Sequence, residues 1–127
     1  MVNNYGSAGS NSLKCGLYNP TRFMQRDMDL TPLGYQLGET MNDCAEPIIG
    51  YNEGLLCATG DSFVVNDDIN IKADMYDMEA YALAKVCFML GVRFICAKFI
   101  SDKLNASEWD KQLALGEDMF IKWLEGK

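Results

Sequence analysis

Apolar residues in this chain form short blocks separated by polar segments. The block at residues 55–59 is short and bounded by glycines, which predicts a buried strand. Residues 76–90 predict a helix that is apolar on nearly every side and therefore mostly buried, ending at Gly91. Residues 94–100 are apolar on both alternating faces except for Lys98. That pattern predicts a central parallel strand covered on both sides.

The flanking regions complete the predicted elements. Residues 1–5 predict a strand that leads into a turn of small residues at 6–10, and another strand is predicted around residues 22–25. Residues 28–53 are rich in Gly, Pro, Asn and Asp, and predict a long loop with a functional or interface role. Ser107 is the expected N-cap of a last helix. One face of that helix carries Trp109, Leu113, Gly116, Phe120, Trp123 and Leu124.

The alternation of strand and helix from residue 54 onward predicts parallel strands joined by helical crossovers. We therefore predict a single α/β domain over residues 1–127. No run of eighteen apolar residues is present, so we expect no membrane-spanning segment. The N-terminus lacks a basic region followed by an apolar stretch, which predicts no signal peptide and a cytoplasmic protein.

Composition narrows the possible chemistry. The net charge is −7 and the basic residues are scattered, which argues against nucleic acid as a partner. The chain has five cysteines without a C-x-x-C pair and no histidine, so we expect no metal site. The absence of histidine also excludes Ser–His and Cys–His catalytic pairs. Acid–base chemistry must therefore use carboxylates, Lys, Tyr or Cys.

Polar motifs follow three of the predicted strands, at residues 6–9, 59–63 and 100–102. If the strands are parallel, these motifs converge on one rim of the sheet, together with Glu79 near the start of the buried helix. Each motif has a structural alternative. An Asp after a strand is a common turn residue, and a Glu in the first helical turn complements the helix dipole. A carboxylate such as Glu79 in an apolar helix, however, needs a partner or a ligand.

These motifs together resemble the signature of the purine nucleoside phosphorylase superfamily, most closely its 5′-methylthioadenosine/S-adenosylhomocysteine nucleosidase branch. The matching segments are N-Y-G-S-A-G at 4–9, D-M-D-L-T-P-L-G-Y at 27–35, A-T-G-D-S-F at 58–63, D-M-E-A-Y-A-L-A at 77–84, G-V-R-F at 91–94 and K-F-I-S-D at 98–102. The resemblance implies a three-layer α/β/α fold with a mainly parallel central sheet, truncated because the family's first four strands precede residue 1.

The resemblance also implies an activity, the cleavage of a purine nucleoside at its N-glycosidic bond. Asp102 then corresponds to the aspartate that binds and protonates the purine at N7, and Ser101 to the neighbour that orients it. Glu79 corresponds to the glutamate that hydrogen-bonds the ribose hydroxyls. These residue types suit the reaction. A carboxylic acid can protonate and so neutralise the departing purine, and a carboxylate can stabilise the positive charge that develops on the sugar.

Further substrate contacts are implied in the same way. They are Met78 beneath the sugar, Phe63 stacked on the base, and Ser7, Ala8 and Gly9 beside the ribose and the nucleophile. Leu33 falls where the family reaches into a neighbouring subunit to line the 5′ end of the substrate. We therefore expect a homo-oligomer, at least a dimer.

The sequence does not identify the nucleophile or the base that activates it. Phosphorylases of the family carry an Arg that grips phosphate where this chain has Asn4, which favours water over phosphate as the nucleophile. No cofactor is expected, although phosphate would be a co-substrate in a phosphorylase. The glutamate that activates water lies in the family's early strands, so a base would come from Asp27, Asp29, Glu39 or another subunit. Alternatives are a nucleoside-binding protein without turnover and one subunit of a two-chain enzyme.

Overall fold

The computed structural model describes residues 1–43, 46–62, 64, 71–101 and 109–126. In chain order, the strands in this part are β1 (Val2–Ala8), β2 (Gly16–Tyr18), β3 (Arg22–Gln25), β4 (Ile48–Gly50), β5 (Leu56–Thr59), β6 (Met75–Asp77) and β7 (Phe94–Ile100). A 3₁₀ turn covers Thr31–Leu33, and the helices are α1 (Ala80–Met89) and α2 (Trp109–Glu125). No helix in these ranges is long and apolar enough to cross a membrane.

The strands form two sheets that meet at one point. The first has the order β1-β7-β2, with β1 parallel and β2 antiparallel to β7. The second has the order β4-β3-β5-β6, in which β3, β5 and β6 are parallel and β4 is antiparallel. Gly9 and Tyr76 exchange two backbone hydrogen bonds of 2.9 and 2.8 Å, which join the end of β1 to β6. The carboxyl ends of β1 and β6 are therefore neighbours.

Strand β7 lies between β1 and β2 in its sheet, and helices cover both of its faces. Cys96 and Ile100 belong to a core cluster that also contains Ala80 and Ala84 of α1. On the opposite face, a Cβ added at Gly116 of α2 would lie only 2.7 Å from the ring of Phe99, so this helix needs a glycine at the contact. The prediction of a strand covered on both sides is confirmed, and so is the α/β class. Strand β7 is parallel to only one of its two neighbours.

Several predicted boundaries are wrong. Strand β1 runs to Ala8, so the segment expected to be a turn begins as strand. The helix predicted over residues 76–90 starts only at Ala80, because residues 75–77 form β6 against β5. The predicted end of this helix is confirmed, with Gly91 in the left-handed region at φ +66°. The long loop at 28–53 contains the 3₁₀ turn and β4.

Helix α1 is less buried than its apolar sequence predicts. Its core-facing residues are Ala80, Tyr81, Ala84 and Cys87. Five large apolar side chains in or next to this helix are exposed: Leu83, Val86, Phe88, Met89 and Leu90. The predicted burial is therefore correct for one face of the helix and wrong for the other. Cys57, Cys87 and Cys96, which lie in apolar runs of the sequence, are buried as free thiols.

Candidate active site at the carboxyl ends of the strands

An ion-paired cluster lies where β6, β7 and the start of α1 meet. Lys98 projects from β7, and its Nζ is 2.9 Å from Oδ2 of Asp77 and 2.6 Å from Oε1 of Glu79. The side chains of Lys98 and Asp77 are fully buried, whereas that of Glu79 is 46% exposed. The cluster thus has a buried half, Asp77 and Lys98, and a surface half, Glu79.

Both carboxylate oxygens of Asp77 accept hydrogen bonds from the protein. The hydroxyl of Thr59 donates to its Oδ1 at 2.5 Å, and the backbone N–H of Ala80 donates to its Oδ2 at 2.8 Å. The second contact satisfies one of the free N–H groups at the start of α1, so Asp77 caps this helix and complements its dipole. The side chain of Glu79 makes no such capping bond. Asp77 is therefore the structural acid of the cluster.

The ion pair determines the charge states of the buried half. Burial by itself would raise the pKa of Asp77, but the charge of Lys98 and the hydrogen bond from Thr59 outweigh it, and the pKa is lowered. Burial would likewise lower the pKa of Lys98, but the charge of Asp77 and the hydrogen bonds to Glu79 and Asp77 raise it. Both groups are therefore charged at neutral pH.

One carboxylate oxygen of Glu79 is available to accept hydrogen bonds from a ligand. Its Oε1 accepts the hydrogen bond from Lys98, and no other side-chain hydrogen bond to Glu79 occurs in the described ranges. Its Oε2 therefore has no side-chain donor from those ranges, on a side chain that is 46% exposed. A carboxylate held in this way can accept hydrogen bonds from hydroxyl groups of a ligand.

Strand β1 lies directly against this cluster. Gly6 is the register partner of Lys98, and a Cβ built on it would lie 2.7 Å from Oε1 of Glu79. Ser7 and Gly9, further along the same segment, are exposed and Ala8 is partly buried. Ser101 follows directly after Ile100, the register partner of Ala8. The predicted site residues of these two strands thus share one rim with Glu79.

The other predicted site residues have different outcomes. Met78 sits between the cluster's two acids in sequence and is 48% exposed. Leu33 is 63% exposed in the 3₁₀ turn, so it is not packed into a pocket within this chain. Asp102 and Phe63, the predicted acid and base-stacking ring, lie outside the described residues.

The three carboxylates considered as bases each accept a hydrogen bond from the protein. Asp29 Oδ1 accepts hydrogen bonds from the side chain and the backbone of Thr31, which lower its pKa. Asp27 accepts a bond from the backbone of Asp61, and Glu39 accepts one from that of Gln36. The contacts of Asp29 and Glu39 support local turns, whereas that of Asp27 joins the segment after β3 to the segment after β5. The lowered pKa makes Asp29 a weaker base.

Sequence reasoning missed Asp77 and Lys98 as members of the site. A signal was present, because a lysine inside an otherwise apolar strand must find a charged partner when it is buried. The identity of that partner was not visible, since β6 was predicted to be the first turn of a helix. The described residues contain no group of side chains that could hold a metal ion.

A separate cavity of about 240 Å³ lies at the amino end of β7. Its walls include Phe23, Phe88, Phe94, Arg93 and Trp123. No predicted site residue contributes to it, so it is distinct from the rim that holds Glu79.

The chain has an α/β fold with polar residues at the carboxyl ends of its strands. Proteins of this class bind their ligands at those strand ends. Residues 27–123 match the model of the family described as the phosphorylase superfamily. The chain belongs to this superfamily, and the predicted resemblance is confirmed.

Individual relatives agree with this assignment. The 5′-methylthioadenosine/S-adenosylhomocysteine nucleosidase of Haemophilus influenzae (strain PittEE) is 34% identical in an alignment that covers 80% of this chain and 56% of that protein. Futalosine hydrolase of Helicobacter pylori has the same fold, with a TM-score of 0.82 and 24% identity over 97% of this chain and 64% of that one. An S-adenosylhomocysteine nucleosidase from Streptococcus pyogenes, solved with 5-methylthiotubericidin, has a TM-score of 0.66 and 26% identity over 79% of this chain and 53% of that one. The chain thus spans little more than half the length of the curated relative.

Proposed function

We propose that this protein cleaves the N-glycosidic bond of a purine nucleoside, in the manner of the 5′-methylthioadenosine/S-adenosylhomocysteine nucleosidases. The observation that carries the proposal is the half-exposed Glu79 carboxylate, with one oxygen held by Lys98 next to Gly6 and the other available to a ligand. Such a group suits the adjacent hydroxyls of a ribose, and the chain is 34% identical to a nucleosidase.

In the proposed reaction, each residue acts at one part of the substrate. Glu79 binds the ribose hydroxyls and offsets the positive charge that builds on the sugar as the bond breaks. Asp102 donates a proton to purine N7, so the base leaves as a neutral molecule, and Ser101 orients that acid. Met78 and the segment of Ser7, Ala8 and Gly9 line the sugar, and Phe63 stacks on the base.

Water is the proposed nucleophile, because Asn4 stands where phosphate-using relatives carry an arginine. The test is to incubate the purified protein with methylthioadenosine, adenosine and inosine, with and without phosphate, and to measure released base by chromatography. Base release without phosphate supports the proposal. Release only with phosphate would assign a phosphorylase, and binding without release would assign a nucleoside-binding protein.

The acid is tested by one variant. Asp102→Asn keeps the size of the side chain but removes the proton donor, so base release should fall about 100-fold or more, the usual contribution of a general acid. Asp118→Asn is the control, since it makes the same chemical change at an exposed residue of α2, outside the rim segments. Unchanged release in Asp102→Asn would refute the assignment.

We further propose that the protein acts as a homo-oligomer, at least a dimer, in which Leu33 reaches the substrate site of a neighbouring copy. Leu33 is 63% exposed, and the outer face of α1 adds the exposed side chains of Val86 and Met89. Several exposed apolar side chains on one protein are typical of a protein–protein interface. Light scattering at micromolar concentration tests the idea: a stable species of 14.2 kDa would contradict it. A Leu33→Asp dimer that binds nucleoside normally would remove Leu33 from the interface.

A further inference from the structure

Lys98 holds an unusual place for a charged side chain. It lies in a strand whose other residues are apolar, and none of its side chain is exposed. Its ammonium group is bonded to two carboxylates, Asp77 at 2.9 Å and Glu79 at 2.6 Å. A buried ammonium is tolerated only with such partners. Because Asp77 alone would pair the charge, the second contact calls for its own explanation.

The Asp77 end of the cluster is rigid. Asp77 is tied to Thr59 on β5 and to the first backbone N–H of α1, and its side chain is fully buried. Lys98 is therefore anchored at a fixed point. Glu79, in contrast, is a half-exposed side chain whose carboxylate is held by Lys98.

The neighbouring strand leaves space for this contact. Gly6 pairs with Lys98 across the sheet, and a Cβ at Gly6 would lie 2.7 Å from Oε1 of Glu79 and 3.0 Å from Nζ of Lys98. Both distances are too short for an ordinary contact. A residue larger than glycine would push the carboxylate and the ammonium from their present positions.

We propose that Lys98 is a positioning residue, fixed by Asp77, whose ammonium holds Oε1 of Glu79 so that Oε2 is presented to the hydroxyls of the ribose. The proposal rests on the proposed function, because it assumes that Glu79 binds the sugar. A long carboxylate side chain loses rotamer freedom when it binds a ligand, and holding it beforehand removes that cost from binding.

The experiment compares a ligand with ribose and a ligand without it. Because the parent is proposed to cleave 5′-methylthioadenosine, calorimetry is done in an Asp102→Asn background that slows cleavage. It measures the affinity of 5′-methylthioadenosine and of adenine for that background alone and for its combinations with Lys98→Met, Gly6→Ala and Glu79→Gln. Each variant should lose about tenfold or more in affinity for the nucleoside, the usual effect of a lost hydrogen bond to a charged group. Adenine should bind each variant as it binds the parent. A general disturbance of the fold would weaken both ligands.

A double variant and a control complete the design. If Lys98 acts through Glu79, then Lys98→Met combined with Glu79→Gln should bind the nucleoside no more weakly than Glu79→Gln alone. Lys85→Met is the control, because Lys85 also pairs with an aspartate at 2.6 Å but does not contact Glu79. Additive losses, or equal losses for adenine and the nucleoside, would overturn the proposal. Gly6→Ala carries the test if Lys98→Met does not fold.

A second measurement needs no nucleoside. In the parent, NMR scalar couplings of the Glu79 side chain should report one rotamer, and in the Lys98 or Gly6 variant they should report an average of several. Couplings that do not change would overturn the proposal whatever the binding data show. If the parent binds neither ligand, the proposed function fails, while the couplings still decide whether Lys98 positions Glu79.

Discussion

The two acids of the cluster should respond very differently to neutralisation. In Asp77→Asn the fully buried Lys98 keeps its charge but loses its main anion, and Thr59 and the start of α1 lose a charged acceptor. Removing one partner of a buried ion pair costs about 3–5 kcal/mol of unfolding free energy. Because Glu79 still pairs with Lys98, we expect a value near the lower end, about 3 kcal/mol.

Glu79→Gln leaves the buried pair intact. Its side chain is 46% exposed, and a pair of this kind contributes about 1 kcal/mol or less. A domain of this length loses about 4 °C in melting temperature for each kcal/mol. The Asp77 variant should therefore melt about 12 °C below the parent, and the Glu79 variant at most about 4 °C below it.

Thermal unfolding at pH 7, followed by circular dichroism, measures both values, with urea unfolding as a check on the free energies. Lys85→Met serves as the control for loss of a more exposed pair. Equal large losses for the two acids would refute the reasoning, because Glu79 would then be a structural acid and not a group free to bind a ligand.

Two further predictions concern stability. Because the pKa of Asp77 is lowered in the folded protein, its ionised form stabilises the fold above its unfolded pKa of about 3.9, and this contribution is lost as pH falls through the folded pKa. Urea unfolding at pH 5 to 2 should show a steeper loss in the parent than in Asp77→Asn, and parallel curves would contradict the assignment. Gly116→Ala should destabilise the protein by about 1–3 kcal/mol despite the better helix propensity of alanine, because its Cβ would clash with the hydroxyl of Tyr5 and the buried ring of Phe99. Gly126→Ala, whose Cβ meets only ordinary contacts at 3.6 Å, should show no such loss, and equal unfolding energies for the two variants would rule the clash out.

The local hydrophobic pattern was sufficient to predict an element when the residues of that element themselves reveal its environment. Strand β7 was predictable because a run of apolar residues on both faces fits only a strand covered on both sides. The end of α1 was predictable because Gly91 adopts a left-handed conformation that other residues avoid. The family signature depends on short segments whose order along the chain is itself a sequence property.

Only the tertiary structure decided the partners of the charged residues. The sequence shows Asp77 and Glu79 two positions apart, both near the start of a predicted helix. The family resemblance pointed to Glu79 as a ligand-binding acid, but nothing in the local pattern showed that Asp77 is structural. Strand β6 places Asp77 beneath the sheet rim beside Thr59 and Lys98, and the start of α1 turns Glu79 outward. Hydrogen bonds and ion pairs between residues distant in sequence depend on strand order and register, and a local hydrophobic pattern does not contain that information.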